Sequence, residues 1–299
     1  MSIDSVARVA LRGPHVAIIM DGSGRWAIAR GHARSAGHRA GLAAVRRVAL
    51  TAPGLGIGTL TLFAFSSDNW KRPPQEIAAL MEIFRDYLVG EAGVLARRGI
   101  RAAIVGRRDR LPPPVLEAAR AIEEKTAAGR AMRLRIALDY SGQGALLDAA
   151  HRWSRMSNGL QGAAGRPSPE RTEGTERTRG TAQERVGARK EARELSPGCP
   201  RWPGKERSTE TAPTREEFER CLAASLHEAE PTPPVDLLIR TGGELRLSDC
   251  LLWELATAEL VFTRTMWPEF EPRDLAEALE EFRSRERRFG ALAAAQCRS

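Results

Sequence analysis

Short apolar runs at 15–20, 57–65, 101–105 and 132–138 alternate with helical patterns at 24–31, 37–52, 74–98 and 114–127. Strands separated by helices are joined by crossovers, which lay the strands parallel and put helices over the sheet faces. The first run, Val16 to Met20, is continuously apolar, as a strand buried on both faces is. Pro73-Pro74 stands where proline suits a first helical turn, and Ile77, Leu80, Met81, Phe84 and Leu88 then share one helical face. The predicted fold class is therefore α/β, a central and mostly parallel sheet flanked by helices.

The alternation stops at residue 154. Residues 154–213 carry about five large apolar side chains among many Gly, Pro, Ser, Thr, Arg and Glu. That is too little burial to offset the entropy of ordering the chain. We read 154–213 as a low-complexity, disordered insertion, and 1–153 with 214–299 as a single domain. Regular structure resumes at Thr214-Arg215-Glu216-Glu217, a capping box with Glu at the third helical position. A strand at 235–239, a helix near 248–257, an apolar run at 260–262 and a charged helix over 272–288 are expected to follow.

The net charge of +8 invites a nucleic-acid partner. Its location argues against one. Residues 154–213 hold 12 Lys+Arg against 8 Asp+Glu, which leaves 34 against 30 over the remainder. The remaining arginines sit beside glycines and turns, a pattern suited to small phosphate ligands rather than to a polyanion. No apolar run reaches the roughly 18–20 residues of a membrane span. The stretch MSIDSVARVALRG lacks the apolar centre of a signal peptide. Cys199, Cys221, Cys250 and Cys297 show no CxxC spacing. A cytoplasmic protein is expected, with at most peripheral contact to anionic lipid through the basic insertion.

Three polar clusters follow strands. The first is Asp21-Gly22-Ser23-Gly24-Arg25-Trp26. Its glycines permit a tight turn and let an anion approach the backbone. A helix starting near Ser23–Arg25 would aim free N–H groups at that anion, and Arg25 adds a forked donor. Asp21 would not favour a bare phosphate but could hold a Mg²⁺ that the phosphate also binds. The same residues equally fit a plain strand–turn–helix corner with a capping Asp. The second cluster, Ser66 to Glu76, holds Asn69, Trp70 and Arg72, and alone reads as an ordinary polar loop. The third, Arg240-Thr241-Gly242-Gly243-Glu244-Leu245-Arg246-Leu247-Ser248, sets two arginines and a serine around a Gly-Gly turn. Ligands of open parallel sheets bind beyond the carboxyl ends of strands, and three coinciding clusters favour a phosphate site. His38 lies near Arg25 and Arg34 in sequence, so it suits the phosphate side, whereas His15 suits packing. There is no GxxxxGK[ST] motif, and no GxGxxG follows the first strand.

The stretches HVAIIMDGSGRWA, GHRAG, TLFAFSSDNWKRPPQEIAALM, DLLIRTGGELRLSDCLLWELATAELVF, TMWPEF and RERRFG resemble the cis-prenyltransferases, the isoprenyl diphosphate synthases related to undecaprenyl diphosphate synthase. The resemblance covers most of 15–150 and 214–290. It implies a homodimeric, Mg²⁺-dependent transferase that adds isopentenyl diphosphate to an allylic diphosphate such as farnesyl diphosphate with cis geometry. By the same resemblance, Asp21 coordinates the Mg²⁺ on the allylic diphosphate, and Gly22, Ser23, Gly24, Arg25, Trp26, Arg34, His38 and Arg72 surround that diphosphate. Ser66 and Asn69 position the reacting groups and relay a proton, while Trp70 and Glu76 lie near the reacting ends. Arg240, Arg246 and Ser248 bind isopentenyl diphosphate. Glu259 is a carboxylate near the metal and the dimer interface, and Arg288 and Gly290 reach into a neighbouring subunit's site. Ala64, Leu80 and Phe84 are wall candidates for a product tunnel, or plain core.

Two departures stand out. Ser23 replaces the family's usual Asn, and Asp139-Tyr140-Ser141-Gly142-Gln143 replaces Asn-Tyr-Gly-Gly-Arg, so an arginine and a following carboxylate are missing. The alternative, a non-catalytic subunit of a heteromeric enzyme, tends to lose the metal Asp and the phosphate arginines. This chain keeps Asp21, Arg25, Arg240 and Arg246.

Overall fold

The computed structural model describes residues 13–164 and 212–286. Six parallel strands form one sheet, β1 (His15–Ile19), β2 (Thr59–Ser66), β3 (Ile100–Val105), β4 (Met132–Tyr140), β5 (Leu237–Arg240) and β6 (Glu259–Phe262), in the order β3-β4-β2-β1-β5-β6. The crossovers carry α1 (Ser23–Ile28), α2 (Arg34–Thr51), α3 (Pro74–Arg97), α4 (Pro113–Thr126), α5 (Gly142–Ala164) and α6 (Arg215–Ser225), and α7 (Pro272–Ser284) closes the described chain. The chain grows from β1 to β2 on one side and later returns to lay β5 on the other side of β1. That reversal opens a crevice between β1 and β5, where open sheets bind ligands.

Side chains alternate across each strand. Val16 and Ile18 of β1 face one core with α2, α3, α4 and α7, while Ala17 and Ile19 face a second core with α5 and α6. Gly37 fixes the approach of α2 to α1: a Cβ there would stand 1.9 Å from the Ser23 carbonyl oxygen. Among the described residues, no helix is long and apolar enough to cross a membrane.

Three expectations change. The helix expected near 248–257 is a series of turns. Ser248, Asp249 and Leu251 have φ of 50°, 59° and 44°, which a right-handed helix excludes. Asp249 instead accepts hydrogen bonds from the Ser141 hydroxyl at 2.6 Å and the Gln143 N–H at 2.8 Å. The last helix ends at Ser284, and any continuation past residue 286 lies outside the described residues. Helix α5 runs to Ala164, so regular structure enters the segment read as an insertion from residue 154, while 165–211 lies outside the described residues. Among its described side chains the buried ones are Ala145 and Ala149, with Trp153 packed at the core's edge, too few large apolar groups to give a strong apolar period.

The apolar strand at 132–138 hides a buried ion network. Arg135 is fully buried and donates in fork geometry to Glu228, Nε to Oε1 at 2.9 Å and Nη2 to Oε2 at 2.7 Å, and Arg133 Nη2 reaches Oε1 at 2.8 Å. Arg135 Nη1 also donates to Thr61 Oγ1 at 3.2 Å. His15 completes the chain of bonds. Its Nδ1 lies 2.9 Å from the Pro233 carbonyl, which only accepts, so Nδ1 carries the proton and Nε2 accepts from Thr61 Oγ1 at 2.7 Å.

Burial, then the charges of Arg135 and Arg133, lower the His15 pKa to about 3. An imidazole depressed on folding contributes stability above its unfolded pKa of about 6.5, and that contribution is lost as pH falls toward the folded value. Acidification to pH 4.5 is therefore expected to remove about 2–3 kcal/mol through this residue. Urea unfolding of His15→Gln beside the parent at pH 7 and 4.5 checks this, since the variant should show a shallower loss. Parallel slopes would refute it.

Candidate functional site

The three polar clusters follow β2, β1 and β5, which are adjacent in the sheet. Their loops line a cavity of about 500 Å³ beyond the carboxyl ends of those strands. The mouth holds Asp21, Gly22, Ser23, Gly24, Arg25, Arg34, His38, Ser66, Asn69, Arg72, Arg240, Arg246 and Ser248. The interior runs between the sheet and helices α2 and α3 and is walled by apolar side chains, including Leu42, Val45, Leu62, Ala64, Leu80, Ile83, Phe84, Leu88, Ile136 and Leu138.

Gly22 stands at the start of α1 with φ of 105° and packs against Met266, whose Cβ would lie 3.0 Å from an added methyl. Any other residue there is strained in both respects. Helix α1 has only six residues, so arginines rather than a helix dipole supply most of the positive charge. The Asp21 carbonyl accepts from the Thr241 hydroxyl at 2.8 Å and the Trp267 N–H at 3.0 Å. Trp267 is itself fixed by its indole N–H, 2.9 Å from the Gly41 carbonyl. Thr241, Trp267 and Gly41 had no assigned role in the sequence, although they lie in the DLLIRTGG, TMWPEF and GHRAG stretches.

The Asp21 carboxylate accepts from the Gly22 N–H at 2.6 Å and Arg240 Nη2 at 2.9 Å, and Arg25 stands 3.4 Å away. Burial raises its pKa, but the hydrogen bonds from Arg240 and Gly22 and the charges of Arg240 and Arg25 prevail and hold it below the usual carboxylate range. Arg240 is buried and also donates to Ser248 Oγ at 2.7 Å and to the Arg246 carbonyl. Glu244, also unassigned in the sequence, lies 3.6 Å from Arg25 and pairs with Arg246.

On the opposite side, Glu76 Oε1 gathers Arg72 at 3.1 Å and both Arg34 and His38 at 3.6 Å. His38 Nε2 is buried with no hydrogen-bond partner. Burial, with Arg72 and Arg34 nearby, lowers the His38 pKa against the pull of Glu76, so the imidazole is neutral at pH 7.

Other sequence-predicted residues fall elsewhere. Trp26 turns away from the cavity, its indole N–H 3.1 Å from Glu269 Oε1 and its ring under Arg30. Trp70 packs edge-on against Phe65 with centroids 5.3 Å apart, outside the cavity lining. Glu259 begins β6 level with Leu237, three residues before the level of Arg240, and pairs with Arg285 at 2.8 Å. Within one chain it is not brought to Asp21. Arg288 and Gly290 lie outside the described residues.

The donor set at Asp21 fits a particular kind of metal site. Mg²⁺ is commonly held by one or two carboxylates plus substrate phosphates and water. Asp21 is ionised and partly open at the mouth, with cationic donors around it for the phosphates. Among the described residues, no three His, Cys, Asp or Glu side chains group as a metal cage.

A family model described as "Putative undecaprenyl diphosphate synthase" matches residues 19–290. "Isoprenyl transferase 1" of Bradyrhizobium diazoefficiens is 42% identical over 280 residues, 94% of this chain and 90% of that protein. "Ditrans,polycis-undecaprenyl-diphosphate synthase ((2E,6E)-farnesyl-diphosphate specific)" of Xanthomonas oryzae pv. oryzae is 36% identical over 94% of this chain and 89% of its own length. Among solved structures, lavandulyl diphosphate synthase from Lavandula x intermedia, in complex with dimethylallyl diphosphate, superposes with a TM-score of 0.71 at 28% identity, covering 94% of this chain and 99% of that one.

Proposed function

The chain belongs to the prenyltransferase family of undecaprenyl diphosphate synthases, and on that footing we propose that it condenses isopentenyl diphosphate with an allylic diphosphate such as farnesyl diphosphate, giving a cis-polyprenyl diphosphate. The observation that carries this reading is the cavity itself, a cationic mouth continuous with an apolar interior between the sheet and helices α2 and α3. A diphosphate with a growing hydrocarbon tail has that same division of chemistry.

In this reading Arg25, Arg34, His38 and Arg72 hold the allylic diphosphate, and Arg240, Arg246 and Ser248 hold isopentenyl diphosphate. Fixing both diphosphates on one rigid sheet edge brings the reacting carbons together and supplies much of the acceleration. Arginines at the mouth offset the charge that gathers on the departing diphosphate. Ser66 and Asn69, at the end of β2, are the groups we assign to orienting the reacting ends and relaying the proton that is lost. The apolar walls keep water from the carbocation-like centre and take up the lengthening product. Mg²⁺, held by Asp21 together with the diphosphate, would supply further charge neutralisation of the leaving group.

Glu259 would join such a metal only across a homodimer, and we keep it as a ligand in that assembly alone. Cytoplasmic location, and 1–153 with 214–299 as one catalytic domain, belong to the same proposal. The test is direct. Purified full-length protein, farnesyl diphosphate, labelled isopentenyl diphosphate and Mg²⁺ are expected to give labelled polyprenyl diphosphate. No elongation of geranyl, farnesyl or longer primers would sink the reading.

A further inference from the structure

The segment 139–145 departs from the family pattern, and its first residue has an unusual setting. Phe65 pairs with Leu138 and Ser66 with Tyr140, so Asp139 is an extra residue bulged out of the β2–β4 ladder. Bulges re-aim side chains and concentrate near active sites. Asp139 takes φ of 52°, a conformation that Asp and Asn tolerate better than most residues. Its side chain has no exposure to solvent. Oδ1 accepts from the Ser67 hydroxyl at 2.9 Å and from Arg110 Nη2, and Oδ2 accepts from Arg110 Nε at 2.9 Å. The Arg110 guanidinium lies 5.4 Å from the Trp70 ring centroid. The Trp70 indole N–H is buried with no partner, so ring contacts alone place that side chain. Ser67 and Trp70 belong to the 3₁₀ turn Ser67–Lys71, which is tied internally by the Ser66 N–H donating to Asn69 Oδ1 at 3.0 Å.

We propose that Asp139 and Arg110 are positioning residues for the condensation, a clamp of one buried carboxylate and one partly exposed guanidinium that fixes the Ser67–Lys71 turn and with it Ser66, Asn69 and Arg72 at the cavity mouth. This rests on the functional reading above for its kinetic consequence but not for its geometry. The clamp needs a carboxylate. Three donors converge on two oxygens, and an amide at 139 would offer one acceptor oxygen and, in either orientation, turn its NH₂ toward an Arg110 N–H. The arginine absent from the segment after β4 is thus matched by one from the loop between β3 and α4, aimed at a different purpose. It braces the turn from behind and does not line the cavity.

Asp139→Asn and Arg110→Gln are each expected to lower kcat about 10–100-fold, the order caused by displacing catalytic groups by about an ångström, with KM for both diphosphates within about twofold. The double variant Asp139→Asn/Arg110→Gln should recover part of the loss, because two amides can pair without a buried charge. Ser67→Ala keeps the ion pair and the fold, and should reduce kcat less. Acrylamide quenching, taken as the difference from a Trp70→Phe background, should show Trp70 more accessible in Asp139→Asn. Unchanged kcat with only a lower Tm, or Trp70 quenching identical to the parent, would overturn the clamp. If the parent itself makes no polyprenyl product, the functional reading fails, while the quenching comparison still decides the clamp.

Discussion

Asp21→Ala is expected to cost about a thousandfold or more in kcat, the scale on which preorganised charge stabilisation acts, while the protein stays folded. The side chain is about a third exposed, and the backbone around it is secured independently of the carboxylate. Thr241 Oγ1 and the Trp267 N–H bond the Asp21 carbonyl, which alanine retains. Turnover measured with farnesyl diphosphate and isopentenyl diphosphate, beside a thermal melt, separates the two effects. Asp21→Asn sharpens the test, since it keeps shape and one acceptor but loses the charge. Near-parental activity of the asparagine variant would remove Asp21 from the metal role.

Glu228→Ala is expected to be the most damaging substitution for stability. It strips the fork partner from Arg135, which is fully buried, and the partner of Arg133, which is mostly buried. The remaining carboxylate near Arg135 is Glu254, 3.8 Å away and itself pushed toward its neutral form by burial. Removing one partner from a buried ion pair typically costs about 3–5 kcal/mol. Urea unfolding at pH 7 should show a lower midpoint with an unchanged slope. A loss under about 1 kcal/mol would mean that water or rearrangement satisfies the arginines.

Much of the architecture was legible because its determinants are local. Val16 to Ile19 and Leu237 to Ile239 are apolar on both faces, Leu60 to Phe65 is so but for Thr61, and that pattern marks central parallel strands. Once the sheet is parallel, Asp21, Ser66 and Arg240 must emerge from the same edge. What stayed hidden depends on distant partners. Arg135 looks anomalous in an apolar run until Glu228, 93 residues away, is placed against it. The 248–257 stretch has helix-forming residues, but Asp249 serves the start of α5 and takes a left-handed backbone to do so. The segment from Asp139 read only as lacking an arginine and a carboxylate relative to the family, because nothing in the sequence ties Asp139 to Arg110.

The ion pair between Arg240 and Asp21 joins the two proposed half-sites directly, across 2.9 Å. One end belongs to the isopentenyl side and the other to the allylic side. Whatever recruits the Asp21 oxygen away from Arg240 leaves that guanidinium with fewer anionic partners and more attraction for the second diphosphate. Thermodynamic reciprocity then requires the converse, that filling the isopentenyl half eases the recruitment of Asp21. Binding of the two substrates is in this sense a linked equilibrium, with its coupling term written into one buried arginine.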